Sequence, residues 1–298
     1  MSESAGFSRR AWLGAAGAVA AGAGLARAQT SPAQRVPLKI GHRASNMRMI
    51  GDFNIFQVAS QMSGILGVEL QAAMGKPDLH DLDAVRRYKK EANRWGFLIP
   101  SLAGIWETGA TIRSPGARRD LQQAIRAAEL LGSSVVLVAA YKEANPDMNN
   151  EASYGPMVAL LQGVASQAAD AGVVLGIETS MSPQDHRKFV DMAGSPVIKV
   201  YYDVHNMAYY GHAEDAIPGI RLLGKDRICQ VHVKNENHLI EEPGTINWPA
   251  AFQTFNEIGY DGWYVFETQH KDRQQMLDAT RRNVAFLQKH CQMPLADS

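Results

Sequence analysis

The feature that most constrains the fold is a repeat of short apolar, β-branched runs, each followed by a segment with helical periodicity. Eight such runs occur along the chain: LKIGH (38–42), LGVEL (66–70), FLIPSLAG (97–104), SVVLVAA (134–140), VVLGIE (173–178), VIKVYYD (197–203), ICQVHVKN (228–235) and GWYVFET (262–268). Runs of this kind are typical of strands buried on both faces of a parallel sheet. Because eight strand–helix units fill about the length of one barrel, the sequence predicts a single (β/α)₈ TIM barrel of the α/β class.

The segments between the strands carry helix signals of their own. LDAVRRYKKEANRWG (82–96) places apolar residues at helical spacing, and ARRDLQQAIRAAELLG (117–132) closes on a glycine suited to end a helix. Ser182 followed by Pro183 is typical of a helix start. A doubly wound open sheet is the alternative α/β fold, but no G-x-G-x-x-G motif follows the first strand. The pattern therefore favours the barrel.

The first 28 residues differ in kind from the rest. A pair of arginines (9–10) precedes an uncharged Ala- and Gly-rich stretch (11–26) that runs into an Ala-Arg-Ala site (26–28). This order is typical of a cleaved export signal, and the Ser-Arg-Arg-x-Trp-Leu opening resembles the bacterial twin-arginine signal. We expect residues 1–28 to be a signal peptide and 29–298 to be the barrel. The mature protein is then expected in the periplasm, without membrane association once the signal is removed.

Charge and cysteine content exclude several classes of function. The formal net charge is zero at pH 7, and no long Lys/Arg run is present, so the electrostatic footprint of a nucleic-acid binder is missing. Two cysteines, Cys229 and Cys291, fit neither a disulfide framework nor a cysteine-based zinc site. These observations argue against a nucleic-acid partner, and they leave open both homo-oligomerisation and a pairing between the two cysteines.

Four consecutive predicted strands carry a metal-type ligand at or near their carboxyl ends: Glu178, Asp203, His232 and Glu267. Successive members are separated by 25, 29 and 35 residues, each close to one strand–helix unit, so the four belong to adjacent strands. The functional site of such barrels lies at the carboxyl ends of the strands. Three carboxylates converging there with one imidazole would repel one another unless a cation lay between them. An oxygen-rich set without thiolate favours one divalent ion, Mn²⁺ first and Mg²⁺ next, with Co²⁺ or Zn²⁺ as substitutes.

Strand alternation supports this placement. If Glu178 points into the barrel, the apolar Leu175 and Ile177 point towards the helices, and Tyr202 and Phe266 do the same beside the other ligands. A single strand-end glutamate is usually a surface residue, and a single buried histidine is usually part of a core. Four such residues at the same end of consecutive strands are better explained by a metal site.

Four segments also carry a family resemblance: LGIET (175–179), YYDVHNMAYYGHAEDAI (201–217), VHVKNEN (231–237) and PGTINWPAAFQTFNEIGYDGWYVFET (243–268). They resemble the xylose isomerase-like barrel superfamily, which includes sugar-phosphate isomerases and epimerases, tagatose epimerase, hydroxypyruvate isomerase and inosose dehydratase. In that family an ordered Glu, Asp, His, Glu set binds one divalent metal. The resemblance implies that the ligands here are Glu178, Asp203, His232 and Glu267. It also implies that the two glutamates are the acid/base pair that moves a proton on the substrate.

Two motifs depart from the family pattern. At the end of the sixth strand this chain reads DVHN (203–206), where the family often reads Asp-x-Gly-His or Asp-x-Gly-Asn. The resemblance implies that Asn206 contacts a substrate hydroxyl. His205 occupies the position where the family usually has glycine. The seventh strand reads HVKN (232–235) instead of His-x-Lys-Asp. Lys234 shares the inward parity of the histidine and could polarise a carbonyl or bind a phosphate; a solvated strand-end lysine is the alternative.

Further substrate contacts are expected around the mouth of the barrel. Epimerase members place an arginine shortly after the seventh-strand histidine, where this chain offers Glu236 and His238. His42 ends the first predicted strand and Glu69 lies near the end of the second, so both are expected to face the mouth and to hold substrate. A salt bridge or capping contact is the alternative for both, and for Glu69 it is the preferred one.

Two tryptophans follow predicted strand ends, Trp106 after the third and Trp248 after the seventh. Either indole could stack on a sugar face, and either could instead pack beneath a loop.

The leading functional hypothesis is a metal-dependent isomerase or epimerase of a small sugar, or of a related polyol or keto acid. Removal of a proton next to a carbonyl builds charge on oxygen and gives an enediolate, which a divalent ion stabilises while carboxylates take and return the proton. A lyase of the inosose or dehydroshikimate dehydratase type is the alternative, because it expels water after the same proton abstraction. Its product would be unsaturated or a diketone.

Two non-isomerase readings are less favoured. The barrel resembles that of abasic-site endonucleases, but those need a histidine-rich three-metal cluster with ligands on the earlier strands, which this chain lacks. A non-catalytic sugar-binding barrel would have no need for both Glu178 and Glu267, although binding without turnover would support it.

Overall fold

A computed structural model describes residues 38–291 of the chain. The predicted signal peptide, residues 1–28, lies outside the described residues. Among residues 38–291, no helix combines the length and apolar character that a bilayer crossing requires. Cys229 and Cys291 are both free thiols.

Eight parallel strands pair in chain order and close into a barrel, because β8 also pairs with β1. The strands are β1 (Lys39–Arg43), β2 (Gly67–Gln71), β3 (Ser101–Ala103), β4 (Val135–Ala140), β5 (Val174–Thr179), β6 (Ile198–Asp203), β7 (Ile228–Val233) and β8 (Trp263–Phe266). This arrangement confirms the predicted single TIM barrel over the described residues. It rules out the doubly wound open sheet, which would leave two free edges.

Helices follow the strands and surround the barrel: α1 (Ile55–Ala59), α2 (Leu82–Trp95), α3 (Ala117–Leu131), α4 (Glu151–Asp170), α5 (Pro183–Ala193), α6 (Val204–Met207), α7 (Pro218–Arg227), α8 (Trp248–Glu257) and α9 (Arg273–His290). The predicted signals act as expected. Ser182 Oγ accepts the N–H of Asp185 at 3.1 Å and caps α5. Gly132 ends α3 with a φ of +74°, a conformation that L side chains rarely adopt.

Two strands differ from their predicted bounds in ways that matter for the site. The third strand, predicted over 97–104, is limited to Ser101–Ala103, because Pro100 has no N–H to donate to a ladder. The first strand ends at Arg43, one residue later than predicted. The strand therefore includes Arg43, whose side chain points to the face opposite that of His42, because successive side chains of a strand alternate.

The apolar core has two layers. The larger one lies between the sheet and the helices and contains Leu175, Ile177, Tyr202 and Phe266, as the alternation predicted. A smaller cluster fills the barrel interior: Ala103, Val135, Leu137 and Tyr201. Small residues on the neighbouring strands make room for it, because a Cβ on Gly176 would lie 3.1 Å from that of Tyr201. This interior cluster forms the floor beneath the polar groups at the carboxyl ends of the strands.

Candidate metal centre

The four predicted ligands meet inside the barrel mouth. Glu178 lies on β5, Asp203 ends β6, His232 lies on β7 opposite Asp203 in the β6–β7 register, and Glu267 directly follows β8. Each residue offers one ligand atom, and these atoms all lie within 4.8 Å of one another. The convergence expected from strand spacing is therefore present.

The imidazole of His232 is the centre of this cluster. Its Nδ1 lies 3.1 Å from Oε1 of Glu178, 3.6 Å from Oε2 of Glu267 and 3.9 Å from Oδ2 of Asp203. His232 and Asp203 are completely buried, and Glu267 is the most accessible of the four. One edge of the ring thus faces all three carboxylates in a site that opens on the Glu267 side.

Electrostatics make His232 a cation when no metal is bound. Burial alone would lower the pKa of His232, but Glu69, Glu267 and Glu178 raise it to about 10. The imidazolium then supplies positive charge among the carboxylates. Because only the neutral ring can bind a metal through nitrogen, a metal ion would take the place of this proton.

Two basic side chains balance the remaining carboxylates. Lys234 Nζ lies 2.8 Å from Oδ2 of Asp203 and 2.8 Å from Oε2 of Glu267. Arg43 forms an ion pair with Glu267 and another with Glu69, in which Nε lies 3.1 Å from Oε1. Burial would raise the pKa of Glu267, but Arg43, His232 and Lys234 hold it well below its usual range. The Glu267 carboxylate is therefore ionised at neutral pH.

Asp203 behaves differently from Glu267. Burial raises the pKa of Asp203, and the charges of Glu178 and Glu267 raise it further while Lys234 opposes them. Its Oδ1 accepts the N–H of Asn206 at 2.8 Å, whereas its buried Oδ2 accepts no hydrogen bond of good geometry. The cation that lies beside this buried carboxylate oxygen is the Lys234 ammonium, 2.8 Å away.

The donor set fits a divalent ion. Three carboxylate groups and one imidazole nitrogen, with no thiolate among them, suit hard or borderline cations such as Mn²⁺ and Mg²⁺. The residues therefore match the kind of ion that the sequence predicted.

A second cluster of polar side chains lies on the Nε2 side of His232, and the sequence did not predict it. Glu69 Oε1 is 3.2 Å from Nε2 of His232, and Glu69 Oε2 accepts the hydroxyls of Ser101 and Tyr201, each at 2.7 Å. Gln230 Nε2 donates to those same hydroxyl oxygens, at 2.6 Å to Ser101 and 2.7 Å to Tyr201. All of these side chains are buried, so the group is shielded from solvent.

Asn206 joins the ligand cluster to the aromatic side of the mouth. Its Nδ2 donates to the hydroxyl of Tyr141 at 3.1 Å and to Glu178 Oε1 at 3.3 Å. The ring of Tyr141 stacks on that of Tyr210 at 5.4 Å. Asn206 thus connects Glu178 to the stacked rings of Tyr141 and Tyr210.

Several predicted substrate contacts lie elsewhere. The predicted orientation of His42 is wrong: side chains alternate along β1, so Arg43, which pairs with Glu69 and Glu267, faces the interior and His42 faces the helices. The fully buried His42 ring instead lies 6.3 Å from that of Phe266 and 6.1 Å from that of His270. His238 is exposed on the loop after β7, with Nδ1 3.5 Å from Glu242 Oε2, and does not reach the cluster.

The remaining candidates are near the mouth but engaged in packing. Trp106 donates its Nε1 to the carbonyl of Ala139 at 3.0 Å, and Trp248 is buried with its Nε1 3.1 Å from the carbonyl oxygen of Lys234. His205 is buried, and its ring stacks against Tyr209 at 6.5 Å. For Trp248 the packing alternative is the one that the structure supports.

Sequence reasoning missed Arg43, Tyr201 and Gln230, although two of them had a signal. Tyr201 and Gln230 each precede a ligand by two positions on the same strand, so alternation places them inside the barrel one layer below. Arg43 lies directly after the predicted first strand, and its partners Glu69 and Glu267 are distant in sequence, so no local pattern indicates its role.

A closed parallel barrel with three carboxylates and one imidazole at the carboxyl ends of its last four strands defines a (β/α)₈ protein with a candidate divalent-metal centre. A family model described as "Xylose isomerase-like TIM barrel" matches residues 56–290. The chain belongs to this family, as the resemblance in its second half predicted.

The chain is also similar to one curated protein and to two solved structures. The chain is 26% identical over 167 residues to "Putative L-ribulose-5-phosphate 3-epimerase SgbU" of Escherichia coli (strain K12), a match that covers 51% of this chain and 57% of that protein. It is similar in structure to the 3-keto-D-glucoside 4-epimerase YcjR of E. coli, with a TM-score of 0.67, 15% identity and coverage of 85% of this chain and 99% of that one. It is also similar to the D-psicose 3-epimerase of Clostridium cellulolyticum H10, with a TM-score of 0.70, 14% identity and coverage of 86% and 100%. The structural matches show the shared fold, and the named relatives are sugar epimerases.

Proposed function

We propose that this protein is a divalent-metal-dependent sugar isomerase or epimerase, acting by proton transfer next to a carbonyl of a small polyhydroxylated substrate. The observation that carries the proposal is the convergence of Glu178, Asp203, His232 and Glu267 at the catalytic end of the barrel. The named relatives, which are sugar epimerases, support an enzyme of this general kind.

The four converging residues would hold the ion, which when bound supplies Lewis-acid stabilisation of charge that develops on a substrate oxygen. Glu178 and Glu267 come from β5 and from the end of β8, so they approach the site from different sides. One carboxylate can remove a proton from the carbon next to the carbonyl, which gives an enediolate, and the other can return a proton. Return to the opposite face of the same carbon gives an epimer, and return to the neighbouring carbon gives an isomer.

Lys234 and Asn206 are proposed to assist through position. The Lys234 ammonium lies at the partly open edge of the cluster, between Asp203 and Glu267, where it can stabilise charge on a substrate oxygen. Asn206, which already donates to Glu178, offers an amide to a substrate hydroxyl. Both roles use side chains that remain partly accessible from the mouth.

The charge balance of the site favours an unphosphorylated substrate. Four carboxylates, those of Glu69, Glu178, Asp203 and Glu267, face two basic side chains in this cluster. A divalent ion beside a neutral His232 would bring the group to neutrality, and both basic side chains are already paired with carboxylates. A phosphate dianion near the ion would therefore meet no free cation within the cluster. Lys234 is accordingly proposed to act on a carbonyl oxygen and not as a phosphate ligand.

The experiment is an assay of the metal-supplemented protein on matched pairs of free ketoses or aldoses and their phosphates, with product analysis by NMR in D₂O. We expect deuterium incorporation at the carbon that is inverted or isomerised, and a higher kcat/KM for the free sugar of each pair. An unsaturated or diketone product would instead identify a lyase. Binding of sugars without deuterium exchange in any of them would contradict the enzyme assignment.

Localisation in the periplasm through the twin-arginine route remains a proposal based on the arginine pair at 9–10 and the Ala-Arg-Ala site at 26–28. Replacing the arginine pair with two lysines is expected to retain the precursor in the cytoplasm. Unchanged periplasmic levels of that variant, measured by cell fractionation, would contradict this route.

A further inference from the structure

The second carboxylate that touches His232 is Glu69, on the opposite side of the barrel from the ligand strands. Glu69 lies on β2 and is completely buried, with Oε1 3.2 Å from Nε2 of His232. The other ring nitrogen, Nδ1, faces Glu178, Asp203 and Glu267. The two nitrogens of one imidazole are thus divided between two sets of carboxylates.

Both carboxylate oxygens of Glu69 have polar partners. Its Oε2 accepts the hydroxyls of Ser101 and Tyr201, and Arg43 Nε lies 3.1 Å from its Oε1. Gln230 donates to both of those hydroxyl oxygens, which directs their hydrogens towards Glu69. A buried carboxylate is costly unless it is paired and hydrogen-bonded, and this one is both.

Because Glu69 is completely buried, its carboxylate does not contact a substrate. Its role must therefore lie in its contacts with other side chains. Because a carboxylate can only accept, the Nε2 of His232 must carry the proton of this hydrogen bond. Nδ1 is then the nitrogen left free to bind a metal, and the negative partner makes the ring a stronger base. We infer that Glu69 is a positioning residue that fixes the ring orientation and tautomer of His232 for metal binding through Nδ1. This inference rests on the metal site of the proposed function.

The chain provides a matched pair of variants that tests the inference. Tyr201 and Tyr202 are neighbours on β6, and both are fully buried. The Tyr201 hydroxyl donates to Glu69 at 2.7 Å, whereas the Tyr202 hydroxyl points away from the barrel interior and donates to the carbonyl of Ala216 at 2.6 Å. The same Tyr→Phe substitution therefore removes one buried hydrogen bond in each case, but only one of them supports Glu69.

The experiment is a calorimetric titration of the metal-free full chain with Mn²⁺ for wild type, Glu69→Gln, Tyr201→Phe and Tyr202→Phe. We expect Glu69→Gln to weaken Mn²⁺ binding by roughly 10- to 100-fold, the range typical of outer partners of metal-bound histidines. Tyr201→Phe should weaken it by a smaller factor, and Tyr202→Phe should bind as wild type does. A merely structural role would affect the two tyrosine variants equally.

The outcomes separate this inference from the proposed function. Wild-type affinity in Glu69→Gln, or equal affinities of the two tyrosine variants, would overturn the role of Glu69 while leaving the metal site in place. Failure of the wild-type chain to bind Mn²⁺ would instead overturn the metal site and the inference together. If Glu69→Gln does not fold, the tyrosine pair alone decides.

Discussion

The two halves of the barrel mouth differ in what their side chains contact. The ligand arc, formed by Glu178, Asp203, His232 and Glu267 on β5 to β8, presents donor atoms that lie within 4.8 Å of one another. The support arc is formed by Arg43, Glu69 and Ser101 on β1 to β3. Arg43 contacts Glu267 and Glu69 contacts His232, whereas Ser101 donates to Glu69. One half can hold an ion, and the other half orients the residues that hold it.

The charges of the two arcs show why both are needed. Without its basic partners, the ligand arc would gather like charges in a buried site, at a cost that grows as water is excluded. Arg43 crosses from one arc to the other by pairing with Glu69 and with Glu267. A parallel barrel allows this because its closure brings β1 beside β8, so residues far apart in sequence become neighbours.

The largest effect is expected from Glu178 and Glu267, the proposed acid/base pair of the ligand arc. Changing Glu178 or Glu267 to Gln keeps the size and one coordinating oxygen but removes the basic carboxylate. Loss of general-base catalysis should then lower the turnover rate by about 10²–10⁴-fold. The measurement is deuterium uptake from solvent by the substrate, with each variant saturated with metal. Exchange at the wild-type rate in both variants would mean that the glutamates are ligands only.

A smaller effect is expected where the arcs meet, at Arg43. Arg43→Lys keeps the charge, but lysine lacks the separate Nε and Nη1 donors with which Arg43 reaches Glu69 and Glu267. Losing one charge-assisted hydrogen bond should lower kcat/KM on the order of tenfold. Arg48→Lys is the control, since Arg48 is exposed and donates only to the carbonyls of His270 and Lys271. Equal activity of the two variants would show that the arcs are not coupled through Arg43.

The smallest effect concerns stability outside both arcs. Burial lowers the pKa of His186 to about 4, and the neutral ring bonds to Thr179 and to the carbonyl of Ser182. As pH falls below 6.5, the unfolded chain takes up a proton at this residue and the folded chain does not, so stability is lost on acidification. Between pH 7 and pH 5.5 the loss should be about 1 kcal/mol.

Urea unfolding of wild type and His186→Gln at both pH values measures this contribution. The variant should lose less stability than wild type on acidification, while its metal affinity stays unchanged at pH 7. Parallel losses in the two proteins would assign the acid sensitivity to other groups, for instance to His42, whose pKa burial lowers to about 3.

The ligand arc could be predicted from sequence because its information is local. Each of its members lies at or beside a strand end, one strand–helix unit from the next, and an apolar strand that ends in a carboxylate is a distinctive pattern. The same regularity gave the barrel itself, including the cap at Ser182 and the helix end at Gly132.

The support arc could not be predicted in this way, because its contacts with the ligand arc form only when the barrel closes. Glu69 in LGVEL reads as an ordinary strand-end acid, and only the closed barrel brings it to Nε2 of His232, 163 positions away in the chain. The error at His42 arose because a strand-end position does not fix which face a side chain occupies: His42 shares the helix-facing side of β1 with Ile40, and Arg43 lies on the interior side. A local sequence pattern was enough to predict the ligand arc. The contacts of the support arc could be found only from the tertiary structure.

We propose above all that the ligand arc binds one divalent ion, with His232 as an obligatory ligand. The most direct test is the metal content of the purified chain after equilibration with Mn²⁺, compared between wild type and His232→Ala. We predict one Mn²⁺ per wild-type chain and loss of that ion from His232→Ala, with the barrel still folded because its apolar layers lie beneath the site. Undiminished Mn²⁺ occupancy in a folded His232→Ala chain would contradict the account.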